Sequence, residues 1–242
     1  MIPLLAIFLN LWALAFAAPP ATLDARLQEA EQLREQRLLR ERWRPSAETY
    51  AAALKGELVT GIEGDEGPRR VWVVAVLDVP LPRFWAAIND DRSKVQFTRL
   101  DYLALVEGQF CGVHRKTFQY AGGGMLSDRW YVLDQRMNTS LSAASEGRVR
   151  ELMWRSVADV DALLKPEVKT WADQGLQVPF TEGAWYLIDL GDGRTLVEYS
   201  SRTDPGGWVS NGIGAAAGEA TLGENLKSLE RLANAGPSCP VI

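Results

Sequence analysis

The chain has 242 residues, 47% of them hydrophobic and 24% charged, which is the make-up of an ordinary globular protein of one large or two small domains. A net charge of −5 leaves no basic field to hold a phosphate backbone, so nucleic acid is excluded as an expected partner. Nine tryptophans are the compositional outlier, and their large apolar area suits both cores and the walls of ligand pockets.

From Met1 to Ala18 the chain carries no charged side chain and is built of Leu, Ile, Phe, Trp and Ala. The run matches a signal-peptide core, is shorter than a membrane-spanning helix, and ends at the small-x-small pattern Ala15-Phe16-Ala17. The expectation is a cleaved signal over 1–17 and an exported protein, periplasmic or extracellular; left uncleaved, the same segment becomes an anchor. In an oxidising compartment the two cysteines, Cys111 in a strand-like run and Cys239 in the tail 237–242, either form a bridge or stay a buried thiol and a loose one.

Residues 18–45 form a charged segment. Between Asp24 and Arg44 six arginines face five acidic residues, with Leu23, Leu27, Ala30 and Leu38 as a thin apolar stripe, a pattern that predicts a solvated helix lightly packed on one face and stopped by Pro45. The texture then turns to strands. Val71–Leu77 is apolar on both faces, Arg83–Asn89 reads as a short helix, and further strands are expected over Tyr102–Val106, Phe110–Tyr120, Trp130–Asp134, Arg150–Val157, Trp185–Leu190 and Arg194–Ser201. Gly122-Gly123-Gly124 and Gly191-Asp192-Gly193 punctuate this series at hairpin spacing, which means an antiparallel sheet. Asp159–Gln174 reads as a helix or an irregular excursion broken at Pro166. After the corner Asp204-Pro205-Gly206-Gly207-Trp208, an amphipathic helix runs from Asn211 to Ala235, with Ala215, Gly218, Leu222, Leu226, Leu229 and Ala233 on one stripe. Its glycine- and alanine-rich first half either packs closely on the sheet or roofs a cavity.

No nucleophile elbow, metal-ligand spacing or phosphate loop occurs, so neither a catalytic residue nor a cofactor or metal site is expected. The single histidine, His114, stands beside Arg115 and Lys116 and reads as a strand residue facing solvent. If Tyr131 and Leu133 face the interior, period two places Arg129 with them, where it would need a carboxylate or a ligand headgroup; at a sheet edge it would instead pair in solvent.

Strand, Asp204-Pro205-Gly206-Gly207 corner and long final helix together resemble the end of START (StAR-related lipid-transfer) domains, with weaker likeness at Gly183-Ala184-Trp185, Gly193-Arg194-Thr195, Val79-Pro80-Leu81 and Ser127-Asp128-Arg129. At the last of these the acidic residue precedes the arginine, and Trp130 takes its usual place. The resemblance covers 46–236 and implies an α+β helix-grip fold, in which a curved antiparallel sheet grips a C-terminal helix over an apolar cavity. It implies a monomeric, non-catalytic carrier of a lipid or sterol-like molecule that touches membranes transiently. Arg129 would then meet a polar headgroup, and Tyr131, Trp154, Trp185, Tyr199, Trp208, Ala216, Gly218, Leu222 and Leu226 would line the apolar site. Two other readings stay open: a filled-core module of the envelope that binds protein, and a cyclase-type enzyme on the same fold.

Overall fold

The structure is a computed structural model that describes residues 22–39, 43–122 and 127–240, so the apolar leader lies outside the described residues. Its frame is a sheet of strands β1 (Val59–Glu63), β2 (Arg70–Leu77), β3 (Tyr102–Gly108), β4 (His114–Ala121), β5 (Arg129–Met137), β6 (Val149–Ser156), β7 (Leu176–Gln177), β8 (Phe180–Asp189) and β9 (Thr195–Asp204). The order is β1-β2-β9-β8-β6-β5-β4-β3, every neighbour antiparallel, with the two-residue β7 added parallel to β5. Each expected strand is present. β1 and β7 are additions: β1 is half-exposed and β7 very short, so neither carries a strong alternation.

Period two divides the sheet cleanly. Val73, Leu152, Leu187 and Val197 face the concave side, where they pack under α7 (Asn211–Ala235) and α3 (Leu81–Asn89). Val74, Tyr186, Ile188 and Leu196 face the convex side, covered by α1 (Leu23–Gln32) and α2 (Ala47–Leu54). Farther along that side, Phe118, Trp130 and Val132 pack with Val168 and Ala172 of α6 (Pro166–Ala172). Pro166 opens this helix instead of breaking one, because at the first helical position its missing N–H has no partner to lose. Two further short helices, α4 (Asp91–Phe97) and α5 (Thr139–Ala144), begin at the side-chain caps Asp90 and Asn138.

Two expectations need correction. The charged N-terminal helix stops at Gln32 and passes into a short 3-10 turn over Leu33–Gln36; α1 is lightly packed as expected, burying only Ala30, but arginines of the segment do not face solvent. Three of them are buried against the sheet: Arg34 meets Glu198 at 2.6 Å, Arg37 meets Glu151 at 3.0 Å and Arg26 pairs with Asp189 at 2.7 Å. Glu151, Tyr186 and Glu198 lie side by side across β6, β8 and β9, and both guanidinium groups sit over the Tyr186 ring, at 4.9 and 4.7 Å. Cys111 is not in a strand: β4 begins only at His114, and Cys111 occupies a tight turn with φ of 62°. It is bridged to Cys239 across 128 residues, which ties the C-terminal tail to the β3–β4 turn.

Candidate functional site

Between the concave face and α7 lies a cavity of about 550 Å³, within the range of small-molecule sites. One wall is aromatic. Trp154 of β6 stacks on Tyr199 of β9 at 5.5 Å, and Trp185 of β8 leans on Tyr199 at 4.5 Å, with Tyr131 of β5 and Leu152 of β6 completing this side. Trp154 lies flat over Gly183, its cross-strand partner, where any Cβ would collide with the ring. That glycine therefore shapes the wall. Above it α7 contributes Ala217, Thr221, Leu222, Asn225 and Leu229, so the helix roofs the space with small or aliphatic side chains.

Polar groups share the lining, some toward α4 and some on β8 and β9. Gln119, Gln135, Thr181, Ser201 and Thr203 point inward from the strands, and Lys94, Thr98 and Arg99 come from α4 and the segment after it. Behind them runs a buried relay. Asp91 takes the Arg115 Nε–H on one oxygen and Lys94 Nζ on the other at 2.9 Å; Arg115 Nη2 donates to Gln135 Oε1 at 3.2 Å, and Gln135 Nε2 donates to Thr117 Oγ1 at 2.8 Å. Burial pushes the Asp91 carboxyl up, but Lys94 and Arg115 outweigh it and hold the group below the usual carboxylate range. Burial likewise raises the Tyr131 phenol to about 12, with Tyr199 adding to the shift, so both rings face the cavity as neutral hydroxyls at ordinary pH.

Of the residues singled out from the sequence, Tyr131, Trp154, Trp185, Tyr199 and Leu222 come together on this cavity. The others do not. Arg129 starts β5 beyond the end of the cavity, and its guanidinium donates to the main-chain carbonyls of Pro205 at 2.7 Å, Ser127 at 2.5 Å and Gly206 at 3.4 Å. It pins the corner, where Gly206 and Gly207 both adopt positive φ (69° and 66°). Trp208 follows those glycines outward and is 72% exposed. Ala216 is exposed and does not line the cavity; Ala217, also exposed, is the alanine of this turn that does. Gly218 faces Val71 on the sheet, and Leu226 is buried in the core under the helix without lining the cavity. Reading the sequence missed Gln119, Gln135, Lys94 and Arg99, and the signal that could have found the two glutamines is their alternation in register with Tyr131 and Leu133. His114 is half-exposed and meets Asp134 at 2.8 Å, and among the described residues no group of His, Cys, Asp and Glu is placed to hold a metal.

A curved sheet gripping a long C-terminal helix over a lined cavity defines the helix-grip class. Neither a protein-family model nor a curated protein matches the sequence. Solved structures do match the fold. A STAR-related lipid transfer protein from Xanthomonas axonopodis (fragment 25–204) is similar at 15% identity and a TM-score of 0.58, covering 74% of this chain and 98% of its own. Human STARD10 is similar at 9% identity and 0.57, over 81% and 82% of the two chains, and human StAR-related lipid transfer protein 5 at 10% and 0.54, over 88% and 98%. The chain has the START helix-grip fold.

Proposed function

We propose that this protein is a non-catalytic carrier that holds one hydrophobic small molecule, of lipid or sterol-like type, between its sheet and α7. The observation that carries the reading is the 550 Å³ cavity itself, walled by Trp154, Trp185, Tyr199 and Tyr131 where a filled core would have aliphatic side chains in contact with the helix. The matched structures that carry lipid-transfer names support the same class. Export belongs to this reading, and the Cys111–Cys239 bridge supports it, since such bridges persist in oxidising compartments. The carrier acts as a monomer that meets membranes briefly. Exposed Trp208, Ile213 and Leu176 near the entry to α7 support that contact, tryptophan being suited to the bilayer interface. Native mass spectrometry and lipid extraction of protein purified from its own compartment test the proposal: one co-purifying amphiphile per chain is expected. Protein that carries none, and whose tryptophan fluorescence does not saturate with any sterol, fatty acid or phospholipid, overturns it in favour of the interaction-module reading.

A further inference from the structure

The side chains around the cavity carry a sign of their own. Lys94 and Arg99 line it, and among the described residues no aspartate or glutamate does, although the chain as a whole has a net charge of −5. Of the carboxylates close to it, Asp91 is fully buried and divided between two cations, Arg115 behind it and Lys94 on the cavity side, while Asp101 takes the main-chain N–H of Gly122 at 2.6 Å. Arg115 and Lys94 together balance the two carboxylates Asp91 and Asp90, the latter engaged with the main-chain N–H groups of Ser93 at 3.2 Å and Ser238 at 2.5 Å, so the cavity meets the cation Lys94 and not the carboxylates. Lys94 has one N–H on Asp91 and further donors to offer, and Arg99 stands exposed at the rim a turn later. Charges that line a cavity act on a bound ligand at short range, whereas those spread over the distant surface are screened by water and salt, so the sign of the lining side chains decides which head is favoured.

We infer that the cargo is an amphiphile with a single anionic head, carboxylate or phosphate, seated between Lys94 and Arg99, its apolar body lying along Trp154 and Tyr199 beneath α7. This rests on the carrier reading above and narrows it. Gln119 and Gln135 extend the polar side inward. Gln135 is held by Arg115 at its carbonyl and by Thr117 at its amide, so its remaining N–H has a fixed direction and serves an acceptor on the ligand. A cationic head finds two cations and no carboxylate among the lining side chains, and an uncharged head leaves Arg99 and the remaining Lys94 donors without an anion to meet.

Calorimetric titration at fixed moderate salt with palmitate, hexadecanol, hexadecyltrimethylammonium and a monoacyl glycerol phosphate separates the classes. Palmitate, the phosphate or both are expected to bind at least roughly tenfold tighter than hexadecanol, with the cation weakest, tenfold being about 1.4 kcal/mol. Lys94→Met leaves Asp91 paired with Arg115, and Arg99→Met alters only an exposed rim residue. Each should weaken the anion several-fold and leave hexadecanol unchanged, with thermal melting confirming that both variants fold. Equal binding of palmitate and hexadecanol, unmoved by either variant, overturns the anionic assignment while the carrier reading stands. If no amphiphile binds at all, both fall.

Discussion

At the scale of single residues, the arginines of the N-terminal segment do the work that aliphatic side chains do in most sheet-covering helices. Arg34 reaches Glu198 with two nitrogens, at 2.6 and 3.0 Å, and also bonds the Tyr50 hydroxyl, which in turn donates to Glu198. Glu151 is fully buried and takes Arg37 Nε at 3.0 Å, the Leu38 N–H at 2.7 Å and Asn138 Nδ2 at 2.9 Å. Removing one partner of such a pair leaves an uncompensated buried charge, whose cost exceeds what the intact pair contributes. Arg34→Met is therefore expected to destabilise by about 3–5 kcal/mol. Adding Glu198→Leu should recover much of that loss, because the orphaned carboxylate is then gone. Chemical denaturation of the single and double variants measures both numbers, and equal stability of the two would show that the charge is not what holds the segment down.

Among elements, α7 is divided. Its second half buries Leu222, Leu226, Leu229 and Leu232, whereas its first half, rich in Gly and Ala, buries only Ala215 and roofs the cavity through Ala217 and Thr221. Ala217→Trp is expected to fill the space and lower ligand affinity at least tenfold with less than about 1 kcal/mol lost in stability, since a cavity accepts volume that a packed core does not. Ala216→Trp, outside the cavity lining, should leave binding unchanged, and a titration of both variants decides which residue roofs the site. Much of this architecture was legible beforehand. The strand series, the double-glycine corner and the bounds of α7 follow from alternation, turn chemistry and helical spacing, and the aromatic wall follows from period two once one inward residue is assumed. What the sequence could not disclose depends on distance along the chain. Arg34 and Arg37 read as solvated charges because their carboxylates lie 164 and 114 residues away on strands whose faces only pairing reveals. Gln119, Gln135 and Lys94 give no signal in the sequence for a related reason: a polar residue facing a cavity has the same local pattern as one facing water. Arg129 went the other way, since period two gives its side of the sheet correctly but not where along the strand the cavity ends.

For the whole molecule, the sheet is held between two covers of different kind: a charged segment locked to its convex face and a helix resting over empty space on the concave one. A helix whose first half roofs a cavity has fewer buried neighbours there than one above a filled core, so it depends the more on its packed end and on an anchor beyond it. The Cys111–Cys239 bridge supplies it, joining the tail beyond α7 to the β3–β4 turn, and Ser238 N–H bonding to Asp90 at 2.5 Å fastens the same tail to the start of α4. Because the bridge closes a segment of 128 residues, it removes much of the unfolded chain's freedom, about 4–5 kcal/mol in the chain-entropy account. The Cys111→Ser/Cys239→Ser double variant is therefore expected to lose stability of that order and to melt well below the parent. Arg115 also donates to the Gly112 carbonyl at 3.1 Å beside the bridge, and through Gln135 it reaches the cavity. The double variant should thus weaken binding of polar-headed ligands more than of plain hydrocarbons at temperatures where it remains folded. Denaturation and ligand titration on the same samples check this. Equal loss for both ligand classes would make the bridge an anchor for the helix alone, without influence on the polar side of the site.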